Sequence, residues 1–325
     1  MYYNSFTIIY DSNTIVLFFL FIFAKKPFRM LLEKRIPFNY IVNKVRYDAL
    51  YVLIVYLFVQ LITQYYRHWL PDLPLTIPTF IGTAISILLS FKLNQSYDRW
   101  WEARKIWGSI VNDSRTLVLQ LKTFVRDNEE VVKRMGFRQI AWCYSLGQSL
   151  RKLDPAGNLS SFISGEELAE ILKHQNKPLA LVDKHGEDLK LLKQNGQIEL
   201  FSMIQLNETL VRLMDSQGRA ERIKTTIFPA TYKLFLHLII YLFVVLLSIS
   251  LKEVSWYFEM PLLLLISTAF FLLEKSATHM QDPFENRPTD TAVTAIATTI
   301  EVNIRQLLND NNLPDAAPKE SFYQL

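Results

Sequence analysis

Residues 77–107 read IPTFIGTAISILLSFKLNQSYDRWWEARKIW. The first half is apolar and small; the second crowds tryptophans, a tyrosine and charges together with no turn residue between the halves. Tyr97, Trp100 and Trp101 stand where the apolar run ends, the depth at which aromatic belts meet a bilayer surface. Arg99 and Glu102 are three residues apart, Trp100 and Arg104 four, Trp100 and Trp107 seven, so a continuing helix would align them for ion pairs and an Arg–Trp stack. The stretch therefore predicts one rigid helix that leaves a membrane without stopping.

Three further apolar runs accompany it. Span one, Asp48 to Tyr66, has about the twenty residues a bilayer core needs. Spans three (Leu234–Leu251) and four (Trp256–Leu273) are joined by a short polar connection that predicts an antiparallel hairpin. An earlier apolar stretch, residues 14–24, has no basic region before it and is short for a span, so it reads as an interfacial or core-docked helix rather than a signal peptide. Basic residues gather before span one, after span two, before span three and after span four, while the other two loops hold only Arg67 and Lys252. By the positive-inside tendency both termini and the whole middle are cytoplasmic.

The expected organisation is an N-terminal cytoplasmic or interfacial segment (1–47), spans one and two (48–91), a cytoplasmic helical domain (92–233), spans three and four (234–273), a C-terminal cytoplasmic helix (274–308) and a disordered tail (309–325). The middle keeps apolar residues at three- and four-residue spacing, broken by turns such as DPAGNLS. Thr289 or Asp290 is positioned to cap the last helix.

Several functions are disfavoured. A net charge of +4 over 325 residues gives no basis for a nucleic-acid partner. One cysteine excludes an internal disulfide, and the five histidines lack ligand spacing, so no metal or cofactor is expected. No nucleophile–base pair or glycine-rich phosphate loop speaks for an enzyme. A proton-coupled transporter would want ionisable groups deeper than Glu259 and Glu274, with His237 the best counter-example.

Span two differs from the others. Ile77, Ile81 and Ile85 recur at four-residue steps, while Thr79, Gly82, Thr83, Ala84 and Ser86 make other faces small. In an assembly around an axis the isoleucines would stack as hydrophobic rings that gate by dewetting. On periodicity alone, packing against spans one and four is the plainer reading.

The stretch SYDRWWEARKIWGSIVNDSR closely resembles the signature of bacterial bestrophin homologues, here carried by Tyr97, Asp98, Arg99, Trp100, Trp101, Glu102 and Arg104. GRAERIKTTIFPATY before span three and DPFENRPTDTAVTAIATTIEVNIRQLL after span four agree with the same family, in the same order. The resemblance implies an all-α membrane protein, with four transmembrane helices plus a cytoplasmic helical domain, assembled as a homopentamer around one axial pore in the bacterial inner membrane. By motif position it assigns the pore neck to Ile77, Ile81 and Ile85, against the packing reading, and a cytosolic aperture to Phe201 with Ile204. The expected function is passive conduction of monovalent ions, Na+ or K+ rather than Cl−, with an anion channel of the same architecture or a non-conducting membrane scaffold as alternatives. An isoleucine ring has no sign preference, so Asp72, Asp98, Glu102 and Glu208 are the carboxylates available to choose cations, while convergent helix N-termini near Thr76 and Ile77 would favour anions. Eukaryotic members clasp calcium with an acidic run after a Pro-Phe pair. Here Pro283-Phe284 is followed by Glu285, Asn286, Arg287, Pro288, Thr289 and Asp290, too few carboxylates for the roughly six to eight oxygens calcium takes, so calcium activation is not expected. The residues before Glu221-Arg222-Ile223 also depart from the family's pattern.

Overall fold

A computed structural model of the chain describes residues 37–66, 72–226 and 229–314. The apolar stretch at 14–24, most of the expected N-terminal segment and the tail beyond 314 lie outside the described residues. Among those described there is no strand. The helices are α1 (Phe38–Tyr66), α2 (Thr76–Phe124), α3 (Glu129–Leu150), α4 (Gly165–Ile171), α5 (Lys177–Gln194), α6 (Leu200–Thr225), α7 (Ala230–Ser250), α8 (Trp256–Gln281) and α9 (Val293–Leu307). Four of them, α1, α2, α7 and α8, are long and apolar enough to cross a membrane.

Helix α2 organises the rest. Its 49 residues give a rod about 74 Å long at 1.5 Å per residue. Pro78 falls in the first turn, where a missing N–H costs no ladder bond. The hydroxyls of Thr79, Thr83 and Ser86 donate to the carbonyls four residues back, at 2.7, 2.9 and 2.8 Å, so the polar groups of the apolar half are satisfied within the helix.

Two hydrophobic cores form on this one helix. In the first, Ile85 and Leu89 pack with Val52 and Tyr56 of α1, Leu236, Ile240 and Val244 of α7, and Leu263 and Phe271 of α8. In the second, Ile106, Trp107, Ile110 and Leu117 meet Trp142 and Leu146 of α3, Leu213 of α6, and Ala297 and Ile300 of α9. The C-terminal helix thus shares its core with the middle of the chain. Residues 251–255 close the α7–α8 hairpin, as expected.

Local signals set several helix starts. The side chains of Asn128, Ser164 and Asn176 accept from the N–H groups of Val131, Glu167 and Leu179. The start of α9 differs from expectation. Ala292 is its cap residue and no side chain caps it. Asp290 instead turns back and accepts from the N–H of Glu285 at 2.8 Å and of Arg287 at 3.0 Å, so it ties the preceding loop rather than the helix.

The α3–α9 contact depends on close approach. A Cβ placed on Gly147 would lie 2.6 Å from Cγ1 of Val293, in a stiff β-branched side chain. Gly147→Ala is expected to destabilise the second core by roughly 1–3 kcal/mol through overpacking. Gly218→Ala, which meets nothing within 4 Å, should not. Thermal unfolding of the detergent-solubilised variants checks this; equal midpoints for both would contradict the tight approach.

Candidate functional site

In its apolar half α2 has two opposed faces. Ile85, Leu89, Lys92 and Ser96 are almost fully enclosed by the chain's own helices. Opposite them Phe80, Ile87 and Phe91 are 75%, 52% and 61% exposed, with Thr83, Asn94 and Asp98 exposed on the same side. At 100° per residue these six lie on one helical face. A long apolar helix with a bare face of this kind requires lipid or other protein against it.

The residues expected at the neck are not placed alike. Ile85 has no exposed surface and Ile81 packs against the first core, so both follow the plainer packing reading. Ile77 remains 40% exposed at the start of the helix. Sequence periodicity carried both faces equally. The missed signal was Lys92, which marks its own face as the one that must find a carboxylate.

That carboxylate is Glu274. Lys92 Nζ donates to Glu274 Oε1 at 2.7 Å and to Thr278 Oγ1 at 2.9 Å, and His237 Nε2 lies 3.3 Å from Glu274 Oε2. Lys92, one residue beyond Phe91, and Glu274 on α8 are both buried. A second buried carboxylate, Glu259, in the first turn of α8, accepts from Gln60 Nε2 at 2.8 Å and Ser248 Oγ at 2.7 Å, near the ends of α1 and α7.

The signature residues pin α2 to the segments around it. Arg99 donates to the carbonyls of Ile223 and Thr226, the final turn of α6, where a cation also complements the helix dipole. Trp100 Nε1 donates to the carbonyl of Thr289 at 3.0 Å and its ring stacks beside Trp101. Tyr97 lies against Trp100, with ring centroids 6.0 Å apart. Glu102 pairs with Lys105 at 2.6 Å and stands 3.9 Å from Arg219. Arg104 lies one turn beyond Trp100 on the same helix.

The loop after α8 holds its own cation. Lys224 Nζ bridges Asp282 at 2.8 Å and Glu285 at 2.7 Å. Burial and a hydrogen bond to Glu285 raise the Asp282 carboxyl, whereas Glu285, hydrogen-bonded to Asp282 and then to Lys224, is held below the ordinary range. Burial pushes Asp290 up to about 6 despite its two backbone donors. A divalent ion would have to displace the Lys224 ammonium from both carboxylates. Among the described residues no group of three or more His, Cys, Asp or Glu side chains is placed to hold a metal.

The remaining candidates are distributed as follows. Phe201 and Ile204, at the start of α6, are 79% and 47% exposed. Asp72 is paired with Lys252 at 2.5 Å. Glu208 is exposed on α6.

Residues 22–306 match the family model described as bacterial/fungal bestrophin protein. The chain is 32% identical to the voltage-dependent anion channel-forming protein YneE of Escherichia coli K12 over 247 residues, 76% of this chain and 81% of that protein. It is 30% identical over 260 residues to a voltage-dependent anion channel-forming protein of Ralstonia nicotianae, 78% of this chain and 85% of that one. Its fold matches the crystal structure of a bacterial bestrophin homologue from Klebsiella pneumoniae with a TM-score of 0.77 and 27% identity, covering 82% of this chain and 99% of that chain.

The buried Lys92–Glu274 pair makes a quantitative prediction. Lys92→Met alone should destabilise by about 3–5 kcal/mol, because the buried Glu274 loses its ammonium partner and keeps only His237 and Thr278, while Lys92→Met with Glu274→Leu should recover most of the loss. A double-mutant cycle on thermal or denaturant unfolding measures it; additive losses would mean the two groups do not interact.

Proposed function

The chain belongs to the bacterial and fungal bestrophin family, and from that premise we propose that it is an ion channel. It conducts monovalent ions passively through an axial pore lined by the open face of α2. The observation that carries this reading is that face itself: Phe80, Thr83, Ile87 and Phe91 stand exposed along a membrane-length helix whose other side is fully packed. Homopentameric assembly would bring five such faces to one axis, making the neck a stack of Thr83, Ile87 and Phe91 rings. Phe201 and Ile204 would form the second, cytosolic constriction.

In this assembly spans one and two (48–91) and three and four (234–273) lie in the bacterial inner membrane. The segment 92–233 and the helical segment 274–308 form the cytoplasmic domain, with both termini on that side. The bridging of Asp282 and Glu285 by Lys224 supports a channel that does not need calcium.

Two observations bear on ion sign, and they differ. The named relatives are anion channel-forming proteins, which favours Cl−. Asp98 is exposed on the same face as Ile87 and Phe91, just beyond the neck, where five carboxylates would favour Na+ or K+. Of the other carboxylates considered for cation selection, Asp72 and Glu102 already have basic partners.

The test is the reversal potential of purified protein in planar bilayers under a tenfold NaCl gradient. Ile87→Ala is expected to raise single-channel conductance several-fold with the reversal potential unchanged. Ile85→Ala should leave conductance alone and cost about 2–5 kcal/mol of stability. The reverse pattern would return the neck to the isoleucine series. A potential near the chloride value assigns the anion reading. One near the sodium value that collapses toward zero in Asp98→Asn assigns the cation reading and its source. Absence of current from correctly assembled protein would leave the scaffold.

A further inference from the structure

A cluster of positive charge lies where α1 and α8 emerge from the first core, and neither the pore nor the Lys92–Glu274 pair uses it. Lys44 Nζ reaches Ser276 Oγ at 3.4 Å, and Lys275 Nζ donates to the backbone carbonyl of Lys44 at 2.8 Å. Arg287 and Lys275 are within electrostatic reach of Lys44, and all three bear on His279, opposed by the Glu274 carboxylate; the Nδ1 of His279 is buried without a hydrogen-bond partner. Adjacent like charges repel, so each cation here needs a counter-charge of its own.

The nearby carboxylates are already engaged. Asp48 pairs with Lys275, Glu274 with Lys92, and Glu285 with Lys224 at 2.7 Å, leaving Arg287 a looser 3.7 Å contact. Asp290 accepts two backbone N–H groups through Oδ2 and lies within electrostatic reach of Arg287, so it too is engaged away from Lys44. Among the described residues Lys44 therefore meets a hydroxyl where a lysine this half-buried needs a counter-charge.

The surroundings identify the missing anion. Directly along α1 from Lys44, the residues Tyr47, Leu50, Tyr51, Ile54, Phe58 and Leu61 are all exposed, a continuous apolar strip on the outward side of a membrane-length helix. The cluster thus sits at one edge of a hydrocarbon-facing belt, at headgroup depth, on the side to which the chain's basic residues are directed. We propose that Lys44, Arg287 and His279 form a binding site for the phosphate of an anionic phospholipid, whose acyl chains run along the outward strip of α1. This site is separate from ion conduction and stands whichever ion the channel carries.

Native mass spectrometry of the full-length, detergent-purified protein, titrated with phosphatidylglycerol or phosphatidylcholine, tests it. Phosphatidylglycerol should be retained by the wild type. Retention should fall roughly tenfold in Lys44→Gln/Arg287→Gln, as expected for removing two interfacial cations, and remain unchanged in Lys190→Gln on exposed α5. If the double variant does not elute as the wild-type assembly, Lys44→Gln alone should still lose several-fold. Higher ammonium acetate should also weaken phosphatidylglycerol retention on the wild type. Equal retention of the two lipids, or of phosphatidylglycerol by wild type and variant, overturns the proposal. So does complete displacement by equimolar glycerol 3-phosphate, which would make the site one for soluble anions. A changed oligomer with unchanged lipid retention would assign the cluster to contact between copies instead.

Discussion

One helix has to satisfy two solvents without a break, and the architecture follows from that constraint. Helix α2 carries Ile85 and Leu89 into one hydrophobic core and Trp107, Ile110 and Leu117 into another. Neither core can turn relative to the other without bending a 49-residue rod that has no proline past its first turn. Arg99, Trp100 and the Lys224 bridge then fasten the end of α6 and the loop after α8 to the stretch where α2 leaves the apolar layer. A displacement at one core is therefore transmitted mechanically to the other.

Charge is disposed to suit this division. On the enclosed side of α2, Lys92 is neutralised within the fold by Glu274, with Thr278 completing its hydrogen bonds. On the open side the apolar residues are followed by Asn94 and Asp98, which remain exposed. A constriction made from the open face would be uncharged, with its nearest fixed charge beyond it. Such a pore separates the barrier from the group that selects the ion, so the two can be altered by different substitutions.

Much of this was legible in the sequence. The apolar runs are long enough to find by length alone, and the absence of a helix breaker between Ser86 and Trp107 announces the continuous rod. The hairpin of α7 and α8 follows from its short connection. What periodicity could not decide was which face of α2 turns inward. Ile81 and Ile85 repeat at the same interval as Thr83, Ile87 and Phe91, and only the position of distant partners distinguishes them. Several polar contacts were equally hidden. Asp290 has the character of a helix cap, yet it binds the loop N–H groups of Glu285 and Arg287, and Glu259 finds Gln60 and Ser248 across three helices. The Gln60–Glu259 contact joins residues 199 apart in sequence, where local propensity carries no information, and the loop that Asp290 ties has no periodicity to read.

The Lys92–Glu274 pair also orders events during synthesis. Its members are 182 residues apart, so the ammonium emerges from the ribosome long before its carboxylate exists. During that interval Lys92 has to stay hydrated at the bilayer surface, its aliphatic stem lying along the helix and its charge in the headgroups. Only when α8 delivers Glu274 can Lys92 be enclosed by the fold, so the first half of the chain reaches its final packing only with the second.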